Sequence, residues 1–270
     1  MKVLRNIDVL KKAIKNISNI GFIPTMGGLH KGHISLIKQS QKKCRQTLVS
    51  IYVNPKQFNN KNDFSIYPRN LNKDLNLLKR LKVDHVFIPN TKEIYMIKRK
   101  KKITLLESQK ILCAKYRVGH FEGVLDIMDR FIKLIKPTYV FMGEKDFQQL
   151  FLVKNFTKNK YESKIFSCKT VRDKNKVALS SRNYLLSKTN LNKAGLIAKY
   201  LQKIKAKVLK GYINDDYFSV LKKELTNKYK IKIEYLEIRN EKNLQIVTTN
   251  NKFRLFISYY IDGIRLIDNF

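Results

Sequence analysis

Short apolar runs at residues 20–24, 47–53, 85–88, 139–142 and 165–171 alternate with helix-period stretches at 32–43, 70–81, 123–136 and 146–158. A chain that repeats strand and helix in this way buries both by laying crossover helices on a mostly parallel sheet. The segment 90–121 breaks the rhythm and reads as loop with short helix. Beyond about 183 the pattern changes. Two Lys-rich helical stretches, near 188–210 and 215–228, precede short strands at 233–238, 254–260 and 263–267. Asp262-Gly263 between the last two suits a hairpin turn that needs positive φ. The expected fold class is therefore α/β, a parallel-sheet domain over 1–173 followed by a smaller α+β domain over 174–270.

Composition narrows the partners. With 270 residues and 43% hydrophobic content the chain is globular rather than disordered. No apolar run approaches the ~20 residues needed to span a bilayer, and the N-terminal residues lack the apolar segment of a signal peptide. With no such run no membrane partner is expected, and Cys44, Cys113 and Cys168, which form neither CxxC pairs nor an even framework, point to a reduced, cytoplasmic setting. The formal charge of +35 invites a nucleic-acid reading. It is mostly Lys, spread along the chain and accompanied by abundant Asn, Ile, Tyr and Phe, the joint enrichment that A+T-rich codons produce. The one tight block, 98–102, reads as a solvated loop, so no specific nucleic-acid partner is expected.

The chemistry concentrates at strand ends. Gly21-Phe-Ile-Pro-Thr-Met-Gly-Gly-Leu-His30-Lys-Gly-His33 reads as a strand, a tight turn and the first turn of a helix. Free N–H groups and the positive helix end make such a place an anion site, and His30 and His33 add side-chain donors. The Gly-x4-Gly spacing is that of a P-loop, but His33 and Ile34 replace its lysine and hydroxyl residue. Two histidines three apart could also hold a metal or simply pack, although no nearby Cys or third His completes a shell. After the second strand, Asn54 and Gln57 offer neutral amides where an open α/β sheet receives its ligand. After the fourth, Lys145 can meet phosphate, Asp146 can accept from ribose or merely cap the helix, and Gln149 lies one turn on. Arg117 and His120 share a glycine-containing bend, and Ser180, Ser181 and Arg182 occupy a loop at the domain boundary.

Taken together, Pro24 to His33, Val53-Asn-Pro-Lys-Gln-Phe58, Tyr67-Pro-Arg69, Arg117-Val-Gly-His-Phe121, Gly143-Glu-Lys-Asp-Phe-Gln-Gln149 and Leu179-Ser-Ser-Arg-Asn183 closely resemble the motifs of the pantothenate synthetases, or pantoate–β-alanine ligases. Tyr235-Leu-Glu-Ile-Arg239 and Arg265-Leu-Ile-Asp-Asn269 resemble that family's C-terminal motifs. The resemblance implies a Rossmann-like domain of the nucleotidyltransferase superfamily, a mobile C-terminal lid domain, a homodimer, and magnesium held mainly on the ATP phosphates rather than by a protein metal site. It implies condensation of pantoate with β-alanine through pantoyl-adenylate, with AMP and pyrophosphate released. By motif position, His30, His33 and Lys145 engage the ATP phosphates, joined by Ser180, Ser181 and Arg182 from the loop that Leu179 opens. Gly143 and Asp146 hold ribose, the Val171 backbone meets adenine, and Gln57 and Gln149 grip pantoate with help from the backbone around Met26. Asn54, Arg117 and His120 are supporting residues. Gly28 stands where the family commonly has alanine, Lys31 where an acid is common, and Tyr95-Met-Ile-Lys-Arg-Lys-Lys-Lys where it usually carries Tyr-Pro and a glycine.

Overall fold

The parallel sheet is built from strands buried on both faces, and this explains their near-continuous apolar runs. The computed structural model describes residues 1–96, 101–209, 216–247 and 252–270. It divides into two compact units, Met1–Thr170 and Val171–Phe270.

In chain order the first unit comprises β1 (Lys2–Leu4), α1 (Ile7–Ile14), β2 (Ile20–Thr25), α2 (Lys31–Lys43), β3 (Gln46–Ile51), α3 (Lys61–Ser65), α4 (Leu71–Arg80), β4 (His85–Phe87), α5 (Thr91–Tyr95), α6 (Cys113–Tyr116), α7 (His120–Ile135), β5 (Tyr139–Gly143), α8 (Phe147–Thr157) and β6 (Lys164–Cys168). Six strands pair in the order β1-β4-β3-β2-β5-β6, and each pairing is parallel. Phe22, Ile23, Leu48, Val49, Val86, Val140 and Phe141 are fully buried in this sheet. Asparagine, abundant in the chain, opens several helices: Asn6, Asn70 and Asn90 cap α1, α4 and α5 by accepting from Val9, Lys73 and Glu93 N–H groups.

The second unit comprises α9 (Lys188–Val208), α10 (Tyr217–Tyr229), β7 (Lys232–Asn240), β8 (Phe253–Ile261) and β9 (Ile264–Asn269). Its three strands form an antiparallel sheet in chain order. Ile197 and Leu201 of α9, Leu225 of α10 and Leu255 and Ile257 of β8 share its core. Asp262 and Gly263 both take positive φ, 51° and 73°, as the hairpin signal requires.

Several boundaries differ from the sequence expectation. β1 and α1 were not anticipated. The run at 47–53 leaves the sheet after Ile51, and that at 165–171 leaves it after Cys168. Arg172 beyond it forms an isolated antiparallel bridge with Ala178 instead. α7 begins at His120, three residues early, because Gly119 takes φ 82° and can start the helix there. The expected helix ends at 210 and 215, and residues 98–100 of the basic block, lie outside the described residues; Lys101 and Lys102 are exposed. Among the described residues no helix is long and apolar enough to cross a membrane.

Candidate active site

β2 has β3 on one side and β5 on the other. The chain passes from β2 to β3 through α2 and reaches β5 only after β4 and α7. Connections therefore diverge at β2 and β5, and it is beyond the carboxyl ends of strands at such a point that open α/β sheets receive their ligands. β2 ends beside Met26, β3 leads to Asn54 and Gln57, and β5 ends at Gly143 before Lys145. Most sequence candidates of the first unit thus stand on three adjacent strand ends.

The glycine turn after β2 is not the open anion cradle that its sequence suggested. Gly27 and Gly28 take φ 81° and 62°, and the Gly28 and Leu29 N–H groups donate to the two carboxylate oxygens of Asp74 at 2.8 and 2.9 Å. Asp74, on α4, is only 3% exposed. Gly27 N–H donates to the Thr25 hydroxyl at 3.2 Å, and that hydroxyl donates to the Ser50 carbonyl at 2.6 Å. The helix start that follows is also engaged. His30 Nδ1 accepts from Gly32 N–H at 3.1 Å, and His33 Nδ1 accepts from His30 N–H at 3.3 Å. The two rings lie 4.1 Å apart between centroids.

This capping fixes the chemistry of both imidazoles. With Nδ1 accepting, a neutral ring must carry its proton on Nε2 and can donate it. Burial, then the Lys145 charge, lowers the His30 pKa to about 4, against an opposing pull from Asp146. Burial, then His30 and Lys145, lowers that of His33 to about 3. Both are therefore uncharged donors near neutral pH. The backbone N–H groups of Gly28, Leu29, His30 and Gly32 are engaged within the chain, and each neutral ring keeps an Nε2–H as a side-chain donor.

A second turn, the 3-10 helix Pro55–Gln57, is fastened from several directions. Gln57 donates through Nε2 to Met26 Sδ at 2.9 Å and accepts at Oε1 from Asn54 Nδ2 at 3.3 Å. Asn54 Nδ2 also donates to the Gly123 carbonyl at 3.1 Å. His120 Nδ1 donates to the Gln57 carbonyl at 2.6 Å and receives Arg117 Nη1 on Nε2 at 3.0 Å. Arg117 in turn lies 3.6 Å from Asp63. Arg117 and His120 thus support the Gln57 backbone, with His120 on the first turn of α7 rather than in a bend. Gly123 permits the close approach of α7, because a Cβ there would overlap the Lys56 carbonyl and come within 2.9 Å of Gln57 Cα.

Beyond β5, Gly143 leads into the 3-10 turn Glu144–Asp146, where Lys145 Nζ lies 3.2 Å from Asp146 Oδ1. Asp146 precedes α8 but makes no side-chain cap bond to it. The adjacent glutamines of α8 have different surroundings. Gln148 is buried; it accepts from Cys113 N–H at 3.0 Å and donates to the Ile111 carbonyl at 2.7 Å. Between those residues Leu112 holds φ 49°. Gln149 is only partly buried.

The remaining candidates belong to the second unit. Leu179 N–H donates to the Val171 carbonyl at 3.0 Å. Ser180 caps the 3-10 helix Ser181–Leu185 by accepting from Arg182 N–H, so Ser181 and Arg182 are helical rather than in open loop. Arg172 donates to both Asp268 oxygens at 2.7 and 2.8 Å and to the Asn269 carbonyl at 2.9 Å, which mounts this segment on β9. Among the described residues no group of three His, Cys, Asp or Glu is placed to hold a metal.

The family model described as pantoate-beta-alanine ligase matches residues 2–270. The chain belongs to the pantoate–β-alanine ligase family. It is 37% identical over 268 residues to a pantothenate synthetase of Flavobacterium psychrophilum, covering 96% of this chain and 94% of that relative. A pantothenate synthetase of Francisella tularensis subsp. novicida is 36% identical over 272 residues, covering 99% and 95%. Among solved structures, a pantothenate synthetase from Thermus thermophilus superposes with a TM-score of 0.91 at 28% identity, covering 100% of this chain and 99% of that one. The Francisella tularensis pantoate-beta-alanine ligase, complexed with beta-gamma ATP and beta-alanine, gives 0.85 at 36% identity, covering 100% and 97%. The Rossmann-like reading of the first unit and the smaller second unit agree with these structures.

Asp74 and Gly123 were not singled out from the sequence, and Tyr95 and Gln148, though inside quoted motifs, were given no role. Each acts through a partner distant in sequence, which no local pattern reveals.

Proposed function

We infer that this chain condenses pantoate with β-alanine at the expense of ATP. The observation that carries the reading is the meeting of His30, Gln57 and Lys145 on adjacent strand ends in a chain matching the ligase family over 2–270. A pantoate carboxylate oxygen attacks the α-phosphorus, the bond to the bridging oxygen of pyrophosphate breaks, and pantoyl-adenylate forms. The β-alanine amine then adds its electron pair to the acyl carbon and loses a proton. The carbon–oxygen bond to AMP breaks, and pantothenate is released.

Residue roles follow the chemistry of the donors. Negative charge builds on departing pyrophosphate, and preplaced donors lower that barrier. His30 and His33 supply neutral N–H groups to the phosphates, and Lys145 supplies the cation. Gln57 and Gln149 hold pantoate, whose carboxylate and hydroxyls match amide donors and acceptors, with Met26 beside them. Gly143 and Asp146 serve ribose. For Val171, Leu179, Ser180, Ser181 and Arg182 the proposed nucleotide contacts rest on the family motif alone. Magnesium is proposed to arrive on the triphosphate, since no described carboxylate cluster would hold it. A homodimer and a cytoplasmic location complete the proposal; sedimentation of the purified chain tests the former.

The deciding experiment supplies ATP, magnesium, pantoate and β-alanine to the purified protein and measures pantothenate, AMP and pyrophosphate. Pyrophosphate exchange that needs pantoate but not β-alanine supports the adenylate. Pantoate-dependent ADP formation would sink it.

A further inference from the structure

Tyr95 ends α5 and has no place in the mechanism above, yet its hydroxyl donates to Asn54 Oδ1 at 2.8 Å. Asn54 is 1% exposed, so its amide cannot turn to water for partners. Its oxygen faces two donors, the Tyr95 hydroxyl and Lys56 N–H at 3.2 Å. Its nitrogen therefore faces two acceptors, Gln57 Oε1 and the Gly123 carbonyl. Once Gln57 Oε1 is engaged, the other end of that amide, the N–H₂ group, points toward Met26.

Tyr95 is itself firmly held. Lys56 Nζ stands 3.8 Å from its ring centroid and the Arg130 guanidinium carbon 4.6 Å from it. Asp126 bridges these cations, 3.0 Å from Arg130 Nε and 3.6 Å from Lys56 Nζ. Arg130 also donates to the Ile94 carbonyl at 2.9 Å. Burial, with the Asp126 and Tyr52 charges, pushes the Tyr95 pKa well up, so the hydroxyl keeps its proton.

We propose that Tyr95 is a positioning residue that sets the orientation of the Gln57 amide through Asn54, so that an N–H donor rather than a carbonyl oxygen meets the substrate. A donor at that place favours a ligand rich in acceptor oxygens, such as a hydroxy acid, over one that offers donors. The proposal rests on the reading that Gln57 touches pantoate.

Tyr95→Phe in the full-length chain removes the hydroxyl and keeps the ring between its two cations. The expected result is a pantoate KM raised about five- to tenfold, the cost of loosening one buried hydrogen-bonded amide. KM for ATP and for β-alanine should stay within about twofold, since neither is assigned to that amide. A second measurement reads orientation without turnover: the side-chain amide ¹⁵N–¹H signals of Gln57, identified by their loss in Gln57→Ala, should move in ligand-free Tyr95→Phe. In the Gln57→Ala background, Tyr95→Phe should add nothing to the pantoate KM. An unchanged pantoate KM, an equal rise in the ATP KM, unmoved amide signals or additive effects would each overturn the relay. If Gln57→Ala itself leaves the pantoate KM unchanged, the assignment of Gln57 to pantoate fails, and the relay with it. A normal Gln57→Ala defect beside a silent Tyr95→Phe overturns the relay alone.

Discussion

The Asp74 carboxylate accepts the backbone N–H of Gly28 at 2.8 Å across 46 residues of chain. Its other oxygen takes the next N–H, that of Leu29. The turn that presents His30 is thus tied to a buried acid on another helix. Asp74→Asn keeps the shape but turns one acceptor into a donor facing an N–H. It should cost about 1–3 kcal/mol in denaturant-induced unfolding and slow pantoate-dependent pyrophosphate exchange. Unchanged stability and exchange would show that the turn holds its form without the carboxylate.

The histidine pair predicts a pH dependence of definite sign. Their folded pKa values, about 4 and about 3, lie below the ordinary 6.5. Between those limits the unfolded chain binds protons that the folded chain refuses, so stability rises with pH through the window and is complete above it. It is lost as pH falls from 6.5 toward 3. Imidazole NMR should show both rings neutral with the proton on Nε2 at about pH 6, and Lys145→Met should raise both values. Ordinary titration of either ring near pH 6.5 would refute the assignment.

Loss of one charge-stabilising donor typically costs on the order of 10²–10³ in rate. His33→Ala and Lys145→Ala should each slow adenylation by that much and leave a folded protein by circular dichroism. A folded variant with near-normal turnover would remove that residue from the proposed phosphate contacts.

Gln148 and Gln149 should separate cleanly. Gln148→Ala strips partners from Cys113 N–H and the Ile111 carbonyl and should lower the melting temperature. Gln149→Ala should leave melting nearly unchanged and raise the pantoate KM strongly, because a bound polar group loses a partner at about 1–3 kcal/mol. The reverse pattern would exchange their roles.

Gly123→Ala tests the approach of α7 to the Gln57 turn. The added methyl must displace the Lys56–Gln57 backbone, which typically costs about 1–3 kcal/mol. The pantoate KM should rise with the loss of stability. A neutral substitution would mean that the turn yields freely.

Much of the fold was legible because five apolar strand signals and their helices repeat with short-range periods. β1 was not legible: unlike β4, equally short but buried throughout, it buries only Leu4 of its three residues and becomes a strand only through its pairing with β4. The histidine turn could be placed in the fold from sequence, but its electrostatics could not. Positive φ at Gly27 and Gly28 suits an anion nest as well as an acid's grip, and only the fold brings Asp74 to it. Gln57 was legible as a strand-end amide, whereas its orientation depends on Asn54 and Tyr95, which converge from different elements.

The capped imidazoles have one further consequence if phosphates rest on them. A fixed cation pulls on any anion within the reach of its field, about 10 Å at 0.1 M salt. An uncharged N–H donor acts only at contact and only along its bond. On a chain of net charge +35, polyanions should gather over the surface at large. With Lys145 the cation whose charge both rings feel, affinity for the correct triphosphate should fall less steeply with added salt than adhesion of random polyanions to the surface.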